Sequence, residues 1–139
     1  YTGKPDEYYD FEYGKLPYRS LIFEHKRVKQ DKNMFSWDLG SVINECNTKP
    51  FNRSMDSSVY LNETAEYTTI TRDHPCEHDE TNEAIYPKTF GEGPDIFDKY
   101  KKLQKADKNT IFLGRLATYK YLDMWMAIAQ VQQKLKKFE

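Results

Sequence analysis

The sequence is poor in cysteine and in long apolar runs. Only two cysteines, Cys46 and Cys76, occur among its 139 residues. Two thiols are too few for a disulfide framework, which favours a reduced, cytoplasmic setting. No stretch approaches the roughly 20 consecutive apolar residues that a membrane-spanning helix needs, and the first residues lack the basic and apolar blocks of a secretory signal. We therefore expect a soluble protein with no membrane partner.

Charge of one sign is also missing. The sequence has 21 basic and 22 acidic residues, so its formal net charge is −1. Such a balance gives no long-range field that would attract nucleic acid, and no nucleic-acid partner is expected. Charged residues make up 31% of the chain, but aromatic residues make up 15% and provide large groups for a core. We expect one compact folded unit.

The first 90 residues have the pattern of an antiparallel sheet. Tyr9, Phe11 and Tyr13 alternate with acidic residues, as the two faces of a strand do. Segments rich in aromatic and β-branched residues predict four strands: two within residues 7–28, one within 37–46 and one within 59–72. Polar segments rich in turn-forming residues predict loops at 47–57 and 73–84.

Residues 91–139 have the pattern of a helix, a strand and a second helix. Pro94 suits a first helical turn, and an apolar stripe follows it: Phe97, Tyr100 and Leu103. The run 110–113 predicts a buried strand that ends at Gly114. Apolar residues three and four apart predict the last helix: Trp125, Ile128, Val131, Leu135 and Phe138. The fold class is therefore α+β, an antiparallel sheet with two or three helices.

The run from Gly114 to Met124 reads GRLATYKYLDM. It resembles the segment G-R-L-x-x-Y-[RK]-Y-x-D-M near the C-terminus of UDP-galactopyranose mutases. Other pieces that match in the same order are 1–3 with 6–9, 14–21, 67–68 with 70–71, and 86–87. The resemblance covers nearly the whole chain and implies the C-terminal portion of a larger Rossmann-like flavoprotein, with a substrate-side sheet region at 1–90 and a cofactor-side region at 91–139.

The resemblance also implies a reaction. Enzymes of this family interconvert UDP-galactopyranose and UDP-galactofuranose for cell-surface glycans, and reduced FAD attacks the anomeric carbon through its N5. The implied substrate is UDP-galactose and the implied cofactor is FAD. The implied cofactor-binding residues are Gly114, Arg115, Asp123 and Met124.

Three residues are implied as catalytic. Tyr86 and Tyr121 match tyrosines that meet the substrate diphosphate, an anion gripped by hydroxyls and arginine without a metal. The family strand Y-T-R-I-x-E has its diphosphate arginine where this chain has Thr69. Arg72 stands three residues further on, and on a regular strand it would lie on the other face, so it can replace the missing charge only if the strand bends.

A Gly-rich phosphate-binding turn is missing. The close pair Gly91 and Gly93 is followed by Ile96, so the sequence has no G-x-G-x-x-G turn for the pyrophosphate of a dinucleotide flavin. We therefore predict that the isolated chain neither binds FAD tightly nor turns over substrate. Two alternatives stay open: a non-catalytic module that binds a sugar nucleotide or a protein, and a related flavoprotein acting on another nucleotide sugar.

Two further patterns have ordinary explanations. His74, Cys76 and His78 alternate in an acidic segment, but they lack the paired spacing of zinc ligands, so a solvated loop and no metal site are expected. The apolar stripe on the last helix predicts a packing surface. If the chain is a fragment, part of that surface would be exposed and would favour self-association into a homo-oligomer.

Overall fold

The computed structural model describes residues 1–30, 42–61 and 65–136. Within these ranges the chain has an α+β fold with an antiparallel sheet of order β2-β3-β4-β1-β5, as predicted. The strands are β1 Tyr18–Lys29, β2 Val42–Asn44, β3 Arg53–Asp56, β4 Tyr67–Glu77 and β5 Tyr86–Pro87. The helices are α1 Pro5–Tyr8, α2 Ser57–Leu61, α3 Gly93–Ala106, α4 Gly114–Ala117 and α5 Met124–Leu135. Only α3 and α5 exceed five residues, which accounts for the excess over the predicted helices.

The backbone divides into two units. Unit 1 contains Tyr1–Ser20 and His78–Glu139, and unit 2 contains Leu21–Glu77. The regions 1–90 and 91–139 are defined by the roles that the sequence predicts for them, on the substrate side and on the cofactor side, and this division stays a prediction. No helix of the described ranges is long and apolar enough to cross a membrane.

The first predicted strand, within residues 7–13, is wrong. Pro5 opens the short helix α1, because its fixed φ suits a first helical position. Asp10 and Phe11 then have φ of 48° and 58°, which a strand does not accommodate. The Leu16 amide donates to Asp6 Oδ2 at 2.9 Å and fixes this turn against the start of β1. Of the two strands predicted within residues 7–28, only β1 forms.

The core of unit 1 lies around helix α3. The predicted stripe of this helix is confirmed: Tyr100 is fully buried and packs with Leu16, Tyr18 and Tyr119. Its hydroxyl donates to the Gly14 carbonyl at 2.7 Å, so the buried polar atom has a partner. Burying side chains of this size contributes on the order of 2–3 kcal/mol each. This cluster joins α3 to the segments before β1 and before α5.

The predicted strand at 110–113 does not form. The backbone of this stretch pairs with a single residue of another segment: the Tyr1 amino group donates to Ile111 O at 2.8 Å, and Leu113 N donates to Tyr1 O at 3.0 Å. A single residue cannot extend into a ladder. The helix that follows is also broken, because α4 ends at Ala117 and Tyr119 has a φ of 50° before α5 begins.

Unit 2 departs from the prediction at both polar segments. Strand β3 lies in the predicted loop 47–57, and β4 extends to Glu77, into the predicted loop 73–84. The predicted strand 59–72 begins instead with α2, because the buried Asp56 Oδ1 accepts from Ser58 N at 3.0 Å and from Thr68 Oγ1 at 2.6 Å. Of the strand predicted within 37–46, only β2 lies inside the described residues, and residues 37–41 lie outside them.

Candidate functional site

Three of the predicted site residues meet in unit 1. The rings of Tyr86 and Tyr121 stack with their centroids 5.7 Å apart and their planes 10° apart. The Arg115 Cζ lies 4.6 Å from the centroid of the Tyr86 ring and 5.3 Å from that of Tyr121. A guanidinium at these distances is attracted by the electron-rich faces of both rings. We call these three residues the tyrosine–arginine cluster.

Backbone geometry brings the cluster together. Tyr86 lies in β5 and pairs with Arg19 at the start of β1. Gly114 has a φ of 81°, which a glycine adopts at little cost, and this bend directs the chain from the extended segment into α4. The positive φ of Tyr119 then turns the chain again just before Tyr121. The Thr118 hydroxyl donates to Gly114 O at 2.6 Å and closes the short helix.

The arginine also ties two backbone segments. Arg115 Nε and Nη2 donate to Leu122 O at 3.1 Å and 2.7 Å, and Nη1 reaches Ile85 O at 3.5 Å. Ile85 and Leu122 each adjoin one of the two tyrosines in sequence. The fork of the guanidinium therefore fixes the spacing of the tyrosines, as its planar set of donors allows.

This arrangement favours an anion. In the described part of the chain, Arg115 has carbonyl and aromatic partners but no carboxylate within ion-pair distance. Its positive charge is therefore uncompensated, and two phenol hydroxyls, which can donate hydrogen bonds, lie on the adjoining rings. The Tyr121 side chain is 63% exposed, so a ligand can approach it. Hydroxyl donors near a fixed cation are suited to phosphate oxygens.

The residues implied to hold the flavin differ in what they can offer. Asp123 is the N-cap residue of α5, and no side chain caps this helix. The Met124 side chain is 85% exposed beside this open end, so backbone donors and apolar surface are both available to a flavin. In contrast, the Gly114 amide already donates to Gln130 Oε1 at 2.7 Å. Asp123 and Met124 fit the group, whereas the contribution of Gly114 is conformational.

Arg72 belongs to unit 2 and has other partners. Its Nη1 lies 3.7 Å from Glu24 Oε2, and its Cζ lies 4.6 Å from the centroid of the Phe51 ring. The hydrogen bond from His74 and the charge of Arg72 lower the pKa of the Glu24 carboxyl, so this partner stays ionised. The role of Arg72 as a phosphate ligand stays a prediction.

Two of the three alternating residues that resemble metal ligands, His74 and His78, also have side-chain partners. His74 lies 3.2 Å from Glu24, and His78 Nε2 lies 2.9 Å from Lys4 Nζ. Among the described residues, no group of three or more His, Cys, Asp and Glu could hold a metal ion. One residue that the sequence did not indicate is Gln130, whose Oε1 accepts from the Gly114 amide, because a glutamine on a helix surface belongs to no motif.

Comparison with known proteins gives a consistent result. A family model described as UDP-galactopyranose mutase matches residues 1–121. A probable UDP-galactopyranose mutase of Klebsiella pneumoniae is 30% identical over 141 residues, covering 99% of this chain and 35% of that protein. A UDP-galactopyranose mutase of Mycoplasma genitalium is 34% identical over 134 residues, covering 92% of this chain and 32% of that protein.

A relative named for a different nucleotide sugar matches as well. A dTDP-fucopyranose mutase of Escherichia coli is 30% identical over 131 residues, covering 94% of this chain and 34% of that protein. The chain spans about a third of the length of the curated relatives it matches.

Proposed function

Because the chain belongs to the UDP-galactopyranose mutase family, we propose that it forms part of an enzyme that interconverts UDP-galactopyranose and UDP-galactofuranose. The observation that carries this proposal is the tyrosine–arginine cluster. It joins Tyr86 to Arg115 and Tyr121, which follow 29 and 35 positions later in the sequence, in one anion-attracting surface. A nucleotide sugar presents a diphosphate, which is the group that such a surface suits.

Each residue of the cluster has a physical task in this proposal. Tyr86 and Tyr121 donate their hydroxyl protons in hydrogen bonds to diphosphate oxygens. Arg115 acts through its positive charge and not as a hydrogen-bond donor to the diphosphate, because its donors are held by Leu122 O and Ile85 O and its charge is not otherwise compensated. When the bond between the sugar and the diphosphate breaks, negative charge grows on the leaving UDP. Preorganised donors and a fixed cation stabilise that charge without moving.

Asp123 and Met124 would contact the flavin at the open end of α5. When bound there, reduced FAD supplies the nucleophile for exchange at the anomeric carbon. The residues of this chain orient the nucleotide and hold its charge. They do not provide a Gly-rich pyrophosphate turn, and we propose on this ground that residues 1–139 alone bind FAD weakly and do not turn over substrate.

The test uses the product of the complete reading frame that encodes residues 1–139. With dithionite-reduced FAD, we expect conversion of UDP-galactofuranose to UDP-galactopyranose. Anion-exchange chromatography of the reaction mixture measures this conversion. Tyr86→Phe and Tyr121→Phe each remove only a hydroxyl and should lower kcat/KM by about tenfold or more, since a hydrogen bond to a charged oxygen is lost. Tyr13→Phe, an exposed tyrosine of unit 1, is the matched control. Unchanged kinetics in both site variants would contradict the site.

A second candidate is a mutase of another nucleotide sugar. The Escherichia coli relative and the threonine at position 69 both favour it. Running dTDP-fucopyranose beside UDP-galactopyranose at equal concentrations decides between the two, because the preferred substrate has the larger kcat/KM. Binding of UDP without conversion of either sugar would indicate a non-catalytic binding module.

A further inference from the structure

Strands β1 and β4 have a fixed register in unit 2. Three contacts define it. His25 Nδ1 lies 3.0 Å from Thr71 Oγ1 and Arg72 lies 3.7 Å from Glu24, and just beyond the two strands Gln30 N donates to Glu66 O at 2.9 Å. In an antiparallel pair, each step down one strand is matched by a step up the other. All three contacts agree with one unbroken register, which places Arg27 opposite Thr69.

This register separates two arginines by face. Residues that oppose each other on antiparallel strands share a face, and neighbours along one strand alternate. Arg27 and Thr69 therefore share one face, and Tyr67, two residues from Thr69, shares it too. The Arg27 Cζ lies 4.6 Å from the centroid of the Tyr67 ring, as expected for a diagonal pair. Arg72 lies on the opposite face.

Strand β4 has no bend that would bring Arg72 to the face of Thr69. On its other side, β3 pairs with it in a regular register from Arg53↔Asp73 to Asp56↔Ile70. A bulge would place two residues against one and break this sequence of pairs. Arg72 therefore does not turn toward the face of Thr69, and the condition under which it could replace a cation at that position is not met.

A cleft of about 550 Å³ opens on the face of Arg27. Ser57, Tyr67 and Thr69 line it together with Arg27. Arg72 and Arg53 have carboxylate partners in Glu24 and Asp73, whereas in the described part of the chain Arg27 has only the ring of Tyr67. The exposed Glu66, immediately before β4, also lines the cleft, so Arg27 is a cation beside one carboxylate there.

We propose that this cleft binds a phosphate group of a nucleoside diphosphate, and that Arg27 supplies the cation for which position 69 has a threonine. The identity of the ligand rests on the proposed function. A guanidinium offers a planar pair of donors that matches two phosphate oxygens. The Tyr67 ring holds that plane in place, and the hydroxyls of Ser57 and Thr69 add donors from the two neighbouring elements.

Affinity for UDP and for inorganic pyrophosphate, measured by calorimetry on the complete protein, tests the proposal. Arg27→Gln removes the charge, and we expect both affinities to fall between about tenfold and a hundredfold. Lys26→Gln removes the same charge from the adjacent residue on the opposite face and should change them by less than about twofold. Thermal unfolding of each variant identifies any loss that comes from misfolding.

A charge relocation separates ligand binding from a structural role of Arg27. In the double variant Arg27→Gln with Thr69→Arg, the cation returns to the same face from the opposing position, and affinity should recover to within about fivefold of the original protein. A structural role would not be restored by a cation on another strand. A larger loss in Arg72→Gln than in Arg27→Gln would overturn the proposal.

The two proposals fail differently. UDP that binds with an affinity independent of Arg27 overturns this inference and leaves the mutase function standing. UDP that binds through Arg27 without any conversion overturns the mutase function and supports this inference. A protein that binds neither UDP nor pyrophosphate overturns the site in the cleft, whatever its turnover of other sugars.

Discussion

Helices α3 and α5 have the same kind of sequence pattern and opposite surroundings. Each has apolar residues at spacings of three and four, and each belongs to unit 1. On α3, the central Tyr100 is 0% exposed. On α5, no described side chain is buried, and Met124, Trp125 and Ile128 are at least 60% exposed.

The difference shows what periodicity does and does not determine. Spacing fixes which side chains lie on one face of a helix, but burial requires a second surface within the folded chain. The segment before β1 and the segment before α5 provide that surface for α3. The expected exposure of part of the α5 stripe is confirmed, while self-association through it stays a prediction.

Truncation of the two helices at their central aromatic residues should give the largest contrast. Tyr100→Ala creates a cavity and leaves the Gly14 carbonyl without its donor, so we expect the free energy of unfolding to fall by about 3–5 kcal/mol. Trp125→Ala should change it by less than about 0.5 kcal/mol. Urea denaturation of residues 1–139 measures both. Equal losses would mean that α5 is buried in solution.

The join between α4 and α5 should be the next most sensitive point. Arg115→Ala removes the donors to Leu122 O and Ile85 O, and we expect a loss of about 1.5–3 kcal/mol. Arg115→Lys keeps the charge but has a single point donor, so it should recover less than half of this loss. The same urea experiment serves. A neutral Arg115→Ala would show that α5 is positioned without this residue.

A pH titration should reveal a smaller effect in the core around α3, at Asp6. Burial raises the pKa of the Asp6 carboxyl, against the opposing effect of the Leu16 amide. A raised carboxyl pKa in the folded state stabilises the fold below the usual carboxyl range of about 3.9, and this stabilisation is lost as the pH rises through the folded pKa. The unfolding free energy of the unaltered chain should therefore decrease, relative to Asp6→Asn, as the pH rises above about 4.

The smallest change in stability is expected on the exposed face of α5. Ile128→Glu should leave the unfolding free energy within about 0.5 kcal/mol, yet it should weaken concentration-dependent association of residues 1–139 in sedimentation velocity. The control is Gln133→Glu, which adds the same charge on the polar face of the same helix. Association that responds equally to both substitutions would point to net charge and not to the apolar face.

Sequence patterns predicted the elements whose side chains repeat with a regular period. α3 and α5 followed from their spacing. In β4, Thr68 and Ile70 are buried while Tyr67 and Thr69 are exposed, as the two faces of a strand are. The failures lie where side chains act on nearby backbone. The aromatic run of residues 8–13 resembled a strand, but the Tyr8 and Tyr9 rings pack on Phe112 around a tight turn.

The sequence pattern missed strand β3 because its residues are polar. Its polar residues looked like a loop, but Arg53 donates to the buried Asp73 carboxylate on the neighbouring strand, at 2.7 Å from Nε. Polar residues can line a strand when their partner is also buried, and a pattern based on hydrophobicity does not detect such pairs.

The candidate site was predictable in part. The resemblance indicated Tyr86, Tyr121 and Arg115 separately, but their stacking depends on the positive φ values at Gly114 and Tyr119, which no periodicity reveals. Arg27 carried no sequence signal. Its relation to Thr69 depends on the register between two strands that are separated by 37 residues of chain, from 30 to 66.

Unit 1 consists of two separate stretches of sequence that contact each other at several places, and one of these contacts lies where the chain passes into unit 2 and back. His78 N donates to Tyr18 O at 3.3 Å, so the chain leaves this unit and returns to it at neighbouring positions. An insertion whose two ends adjoin can be lengthened, shortened or exchanged without parting the frame that hosts it. The stretch from Leu21 to Glu77 therefore leaves and rejoins unit 1 at adjacent positions, and a change in the length of its loops need not separate the two parts of unit 1.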